Sequence, residues 1–303
     1  MAGSSKLTPE PKRAPREIAA GVIAAGLLAV MALAGCDSHH ASAPTAVPPS
    51  DAGMRYTVLS PSRALSGTEL DQTVTALRAR ASDLGVTDAQ VEPADDGQSV
   101  LVAVPVEAQN LIGTLSATGT FEIRPVFHTG PSNEQWAPSL PAGAPALTTA
   151  LGQYRLLTCG SASSTAASPL PPSLPAAACD RTGTLKYLVQ PAAMDRSDVR
   201  AVASEINTGD GGWAVDIAFT PPGQQRFTAL TAASVGQRLA LVVDGVVQSA
   251  PTVDETIPGD AAISGNLTRP DAQRLAAILG SGSLPAPLRA TATTTTPPPG
   301  YHG

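Results

Sequence analysis

The stretch LALVVDGVVQSA, residues 239–250, sets the tightest limit on what this chain can fold into. Leu239, Ala240, Leu241, Val242 and Val243 form a fully apolar run of strand length. Asp244 and Gly245 then supply a two-residue hairpin turn, and VVQSA returns as a second strand. Neighbouring segments extend the pattern. WAVDIAF (213–219) puts Trp213, Val215, Ile217 and Phe219 on one side of a half-buried strand, and KYLVQP (186–191) and AISGNL (262–267) read as further strands. Thr220 caps a helix with Pro221 at its first position and Phe227 and Leu230 on its buried stripe. Thr268, Pro270 and Asp271 open a last helix that buries Ala272, Leu275, Ala276 and Leu279. Val199, Val202 and Ile206 mark one face of another helix. Aromatic residues make up only 3% of the chain, so its core is expected to be aliphatic.

Residues 54–126 carry a second compact alternation. MRYTVL (54–59) reads as a strand. Ser66 and Glu69 have capping-box spacing, and Leu70, Val74, Leu77, Ala81 and Leu84 follow as a helical stripe that Gly85 ends. AQVEP (89–93) and QSVLVAV (98–104) flank the turn Ala94-Asp95-Asp96-Gly97. A short helix around 110–115 precedes TFEIRPV (120–126). The order is βαββαβ, a ferredoxin-like split motif, and the fold class expected for the whole chain is α+β. Residues 127–182 hold eight prolines and little periodicity, so they read as a surface insertion. Residues 289–303, beginning with TATTTTPPP after Arg289 and Ala290, read as a disordered tail.

The amino terminus has the form of an export signal. Lys6, Lys12, Arg13 and Arg16 precede an apolar run of 18 residues, 18–35. Its length is at the lower edge of a membrane span, so a retained anchor is one reading. Leu33-Ala34-Gly35-Cys36 resembles a lipobox, which implies cleavage after residue 35 and lipidation of Cys36. Removing 1–35 takes away four positive and two negative side chains and changes the formal charge from −6 to −8. That balance argues against a nucleic-acid partner, for which a basic face is expected. The attachment would place the protein on the outer face of the cytoplasmic membrane. Residues 36–53 read as a disordered tether, and His39 and His40 within it as solvated residues rather than a metal site. Cys159 and Cys179 remain as an even pair in an oxidising compartment, where a disulfide is favoured over two free thiols.

No catalytic constellation stands out. Beyond the tether the histidines are His128 and His302, and the folded segments contain no HExxH, GxSxG, Walker-type or GxGxxG pattern. Asp95-Asp96 and Asp254-Glu255 read as solvated turn charges, Asp244 as a turn residue, and Trp213 and Phe219 as core anchors rather than groove walls. No enzyme, metal or cofactor is expected.

The motifs taken together resemble a known family. TVTALRARASDLGV (73–86), the segments that follow it to residue 126, and above all residues 215–288 are similar to the periplasmic P1 region of SecD, the second block to its P1 head subdomain. The elements that carry the likeness are Asp244 and Gly245, then Pro251 after Ala250, Ser264 and Gly265, and Leu284, Pro285 and Pro287 in LPAPL. The resemblance implies a base (54–126) and a head (183–288) joined through the insertion, and a role in binding exported polypeptide or assisting the Sec translocase. SecD's proton-relay membrane helices have no counterpart here, so no motor is carried over. A cell-envelope interaction or structural lipoprotein is the alternative.

Overall fold

A computed structural model describes residues 53–139, 144–160, 169–206, 212–299 and 301, together with the backbone of 6–7. The apolar run 18–35, Cys36, His39 and His40 lie outside the described residues. Described elements run β1 (Lys6–Leu7), β2 (Met54–Pro61), α1 (Gly67–Asp83), β3 (Gln90–Pro93), β4 (Val100–Pro105), a 3₁₀ turn (Val106–Leu111), α2 (Ile112–Leu115) and β5 (Phe121–Pro131). They continue with α3 (Pro145–Leu156), β6 (Ala176–Cys179), β7 (Leu185–Val189), β8 (Met194–Asp195), a second 3₁₀ turn (Arg196–Asp198), β9 (Val199–Ile206) and β10 (Trp213–Phe219). The last are α4 (Pro221–Ala233), β11 (Leu239–Val243), β12 (Val246–Ser249), β13 (Thr252–Val253), β14 (Ala261–Leu267), α5 (Arg269–Gly280) and β15 (Leu288–Thr294). The fold is α+β.

The base is a four-stranded antiparallel sheet ordered β15-β2-β4-β3. Helix α1 starts where the sequence predicts: Ser66 accepts from the Glu69 amide and the Glu69 carboxylate accepts from the Ser66 amide, which satisfies two otherwise orphaned donors. Its stripe of Leu70, Val74, Leu77 and Ala81 packs on Val91, Val100, Val102 and Val104. The βαββαβ reading needs one correction. The strand expected to complete the base, β5, belongs to another sheet, and β15 takes its place beside β2. The supposed disordered tail therefore begins as a strand. Its threonines, all exposed, suit an edge strand, and β2 would otherwise present an unpaired edge. Beyond it, the ring of Tyr301 meets Tyr56 edge-on at 5.0 Å.

The central sheet runs β12-β11-β5-β7-β6, with β8 alongside β5. A bridge between Asp180 and Val247 brings its two ends together, giving a small barrel. All five residues of β11 are buried: Leu239, Leu241 and Val243 face the head core, while Ala240 and Val242 face the barrel interior. The head proper is a three-stranded sheet, β14-β10-β9, joined by α4 and α5. Val215, Ile217 and Phe219 lie in its core as expected, and Trp213 is packed at the rim. A two-residue strand, β1, runs parallel to β13.

Two further expectations are corrected. Residues 199–206 form β9, not a helix. Ala218 pairs with Ala201 but Phe219 with Val199, so Arg200 is an extra, bulged residue. The bulge puts Val199 and Val202 on the same face and so mimics helical spacing. The segment 127–182, expected to be a partly disordered surface insertion, is built into the fold in its described parts: β5 continues to Pro131, α3 packs against Leu188 through Ala150, Leu151 and Tyr154, and β6 pairs with β7 in the central sheet. Cys159 and Cys179 are joined by a disulfide with Cα atoms 5.6 Å apart.

Candidate functional site

Base and head meet where the last turn of α1, the loop 115–120 and residues 280–288 converge. At the centre is Arg80, wholly buried. Its Nε donates to Ser281 Oγ at 2.7 Å, and one terminal nitrogen donates to the carbonyls of Leu115 (2.7 Å) and Ala117. The other donates to the Gly282 carbonyl at 2.9 Å. Burial pulls the guanidinium pKa down to about 10, against the opposing pull of the Asp244 carboxylate, so Arg80 still carries its charge at neutral pH. Gly119 is required here: with φ at +77°, a Cβ would lie 2.8 Å from an Arg80 nitrogen and 3.0 Å from the Gly282 oxygen.

Asp244 has two jobs. It takes φ of 48° and Gly245 79°, as a two-residue hairpin turn demands. Its carboxylate also accepts from the amides of Gly119 (3.0 Å) and Thr120 (2.8 Å) and from Thr120 Oγ1 (2.9 Å). The same loop is held from the opposite side, where Ser283 Oγ donates to the Gly119 carbonyl and the Leu284 amide to the Thr118 carbonyl, each at 2.7 Å. Leu284, Ala286 and Leu288 are buried in the base core. The Pro285 carbonyl accepts from Arg63, and that of Pro287 from the Ser62 amide. A groove of about 450 Å³ runs beside the junction, lined by Thr68, Asp71, Gln72, Thr75, Ala76, Ala79, Ser281 and Ser283.

The structure thus brings together Asp244, Gly245 and the 284–287 segment. It places Pro251, Ser264 and Gly265 elsewhere in the head. The Pro251 carbonyl accepts from the Leu239 amide at 3.1 Å, and that of Gly265 from Arg181 at 3.0 Å. Asp96 takes the amides of Gln98 and Ser99 in its turn, and the hydrogen bond from Ser99 holds its carboxyl below the usual range. Arg80 was not singled out from the sequence. The one available signal is its place seven residues after Thr73, on the buried side of α1.

A separate cluster fastens α3 to the barrel. His128 stacks on Trp136 with ring centroids 3.8 Å apart, and its Nε2 lies 2.8 Å from Glu134. The Tyr154 hydroxyl donates to the same carboxylate at 2.6 Å. That bond holds the Glu134 carboxyl below its usual range, while burial first and the bond second push the Tyr154 phenol up. Lys186 sits over the Tyr154 ring and donates to the Leu157 carbonyl. Among the described residues no three His, Cys, Asp or Glu side chains gather as metal ligands, and no helix is long and apolar enough to cross a membrane.

Residues 174–286 match the family model of the SecDF P1 head subdomain. In this part the chain is similar to SecD. It is 34% identical over 111 residues to SecD of Elusimicrobium minutum, covering 36% of this chain and 23% of that one. To SecDF of Thermus thermophilus it is 40% identical over 96 residues, covering 31% and 12%. The matched part is therefore less than a quarter of these SecD and SecDF chains. Among solved structures, a SecDF in a super-membrane-facing form aligns with a TM-score of 0.53 at 22% identity, over 80% of this chain and 30% of that one. A second, described as belonging to a membrane component SecDF that enhances protein export, aligns with a TM-score of 0.51 at 22% identity, over 78% of this chain and 98% of that one. At that identity the likeness is one of fold, and it extends to base as well as head.

Proposed function

We propose that this chain is an extracytoplasmic binding module, tethered to the membrane by a lipid on Cys36, that holds exported polypeptide or assists the Sec translocase. It works by binding, without catalysis and without a proton-driven motor of its own. The observation that carries this reading is the P1 head match across residues 174–286. The Cys159–Cys179 disulfide supports an oxidising compartment.

In-cell photo-crosslinking from the exposed head residues Ala201, Ala229 and Asp254 tests it. Recovery of translocase components or nascent secreted chains is the expected result. Recovery only of wall components or unrelated lipoproteins would replace this reading with that of a structural envelope protein. Replacing Cys36 by serine tests the tether: the chain should leave the membrane fraction and lose the mass of its acyl groups.

A further inference from the structure

The eight-residue strand β9 ends the head sheet. One of its sides is paired with β10 from Val199 to Ile206, with Arg200 bulged out of the ladder. Among the described residues no strand lies along the other. In an antiparallel ladder alternate residues turn both N–H and C=O to the same side. The Val199 carbonyl already accepts from Arg196 at 2.7 Å, so it is beyond Val199 that β9 offers a row of outward donors and acceptors.

Natural sheets guard such edges with lysine, proline, bulges or short strands. Here the bulge is confined to Arg200 at one end. Ala201, Val202, Ala203 and Ser204 in the middle are uncharged, and Ala201 and Ala203 are exposed. Ile206 is 55% exposed at the far end. Charge is restricted to the flanks, with Arg200 before the uncharged stretch and Glu205 after it. Donors and acceptors that alternate at about 3.3 Å per residue are matched by an extended polypeptide backbone.

We propose that the free edge of β9 takes an extended polypeptide segment by strand addition, favouring one that is uncharged over about four residues, with an acidic residue near Arg200 and a basic one near Glu205. This rests on the reading of the chain as a polypeptide-binding module and names the surface and chemistry by which it would bind. The ladder supplies affinity that does not depend on sequence, and the flanking charges and small central side chains set the preference.

The test uses the purified full chain and, as probe, a reduced, carboxymethylated, permanently unfolded polypeptide followed by fluorescence anisotropy. Adjacent residues of β9 point their amides to opposite sides, so of Val202→Pro and Ala203→Pro one removes an outward N–H and leaves the β10 ladder intact. That variant, recognised by its retained melting temperature, should bind the probe at least tenfold more weakly. Ala203→Lys, which places a guard at the centre of the edge, should do the same, whereas Ala229→Lys on α4 should bind as wild type does. Wild-type affinity in the edge variants would overturn the assignment of the edge while leaving polypeptide binding in place. Failure of the unaltered chain to bind the probe would overturn both. A concentration-dependent dimer abolished by the same edge variants would assign β9 to a second copy and overturn the proposal.

Discussion

Replacing Arg80 by methionine keeps most of the side-chain volume and removes every donor. The carbonyls of Leu115, Ala117 and Gly282 would then be left in the interior without their partner. An unsatisfied buried acceptor costs about 1–3 kcal/mol, so Arg80→Met should lower stability by about 3–5 kcal/mol in a denaturant titration. Arg80→Lys keeps the charge but not the fork of donors and should recover only part of that loss. A methionine variant as stable as the parent would remove Arg80 from its place as the junction's centre. The sequence offers only the helical phase of this residue. The carbonyls it serves come from positions 115–117 and 282, and no local pattern announces such long-range pairings. Glu69 is the contrasting case, since its capping role is written in a four-residue motif. The hydrogen bond from Arg63, with the Ser66 amide and hydroxyl after it, lowers its carboxyl pKa to about 2. A depressed carboxylate stabilises the folded state above its unfolded pKa and ceases to do so as pH falls through the folded value. Titration of the Glu69 carboxyl by NMR should accordingly give a midpoint near 2, and Arg63→Gln should move it upward. A midpoint in the ordinary range would mean that the capping box and Arg63 do not hold in solution.

Elements whose local pattern agrees with their tertiary role were legible. The caps of α1, α4 and α5, the Asp244-Gly245 hairpin and the one-sided strand β10 are all local signals that the fold obeys. Three elements were obscured, each for a different physical reason. In β9 a single bulged residue converts a two-residue period into an apparent helical one. In β15 a threonine run that looks like low complexity is recruited because β2 needs a partner, and that need arises some 230 residues earlier in the chain. Helix α3 starts at Ala144 without a side-chain cap, and its partners are distant in sequence: Ala150, Leu151 and Tyr154 pack on Leu188, and Tyr154 donates to Glu134. The Cys159–Cys179 bond spans 20 residues, and a loop of that size contributes about 3 kcal/mol by restricting the unfolded chain. Non-reducing peptide mapping should recover the two cysteines in one linked species. Reduction should lower stability by about that amount, with amide exchange rising first in α3 and β6. Two alkylatable thiols in the native protein would contradict the pairing.

At the scale of the molecule, base and head are interleaved in the chain. The base takes its first three strands from residues 54–105 and its fourth from 288–294, and the core that β15 completes includes Leu284 and Ala286. Everything between Thr118 and Leu284 leaves and re-enters through one point, because the Leu284 amide donates to the Thr118 carbonyl at 2.7 Å. The head is thus an insertion into the base, and the segment LPAPL is where the chain returns from it. A fragment ending at residue 126 would carry β5 without its sheet and β2 without β15. It would also lack the buried side chains of Leu284, Ala286 and Leu288, each worth roughly 1.5–3 kcal/mol when fully buried for a Leu-sized residue and less for alanine. That loss is comparable with the whole stability of a small domain. Residues 53–126 should therefore fail to fold alone. Joining residue 117 to 284 through two glycines, and continuing to 301, should restore a cooperative transition, since the excised ends are already neighbours. Circular dichroism and denaturant titration of the two fragments decide the matter: a cooperatively folded 53–126, or an unfolded joined base, would show that the return strand is not what completes the base.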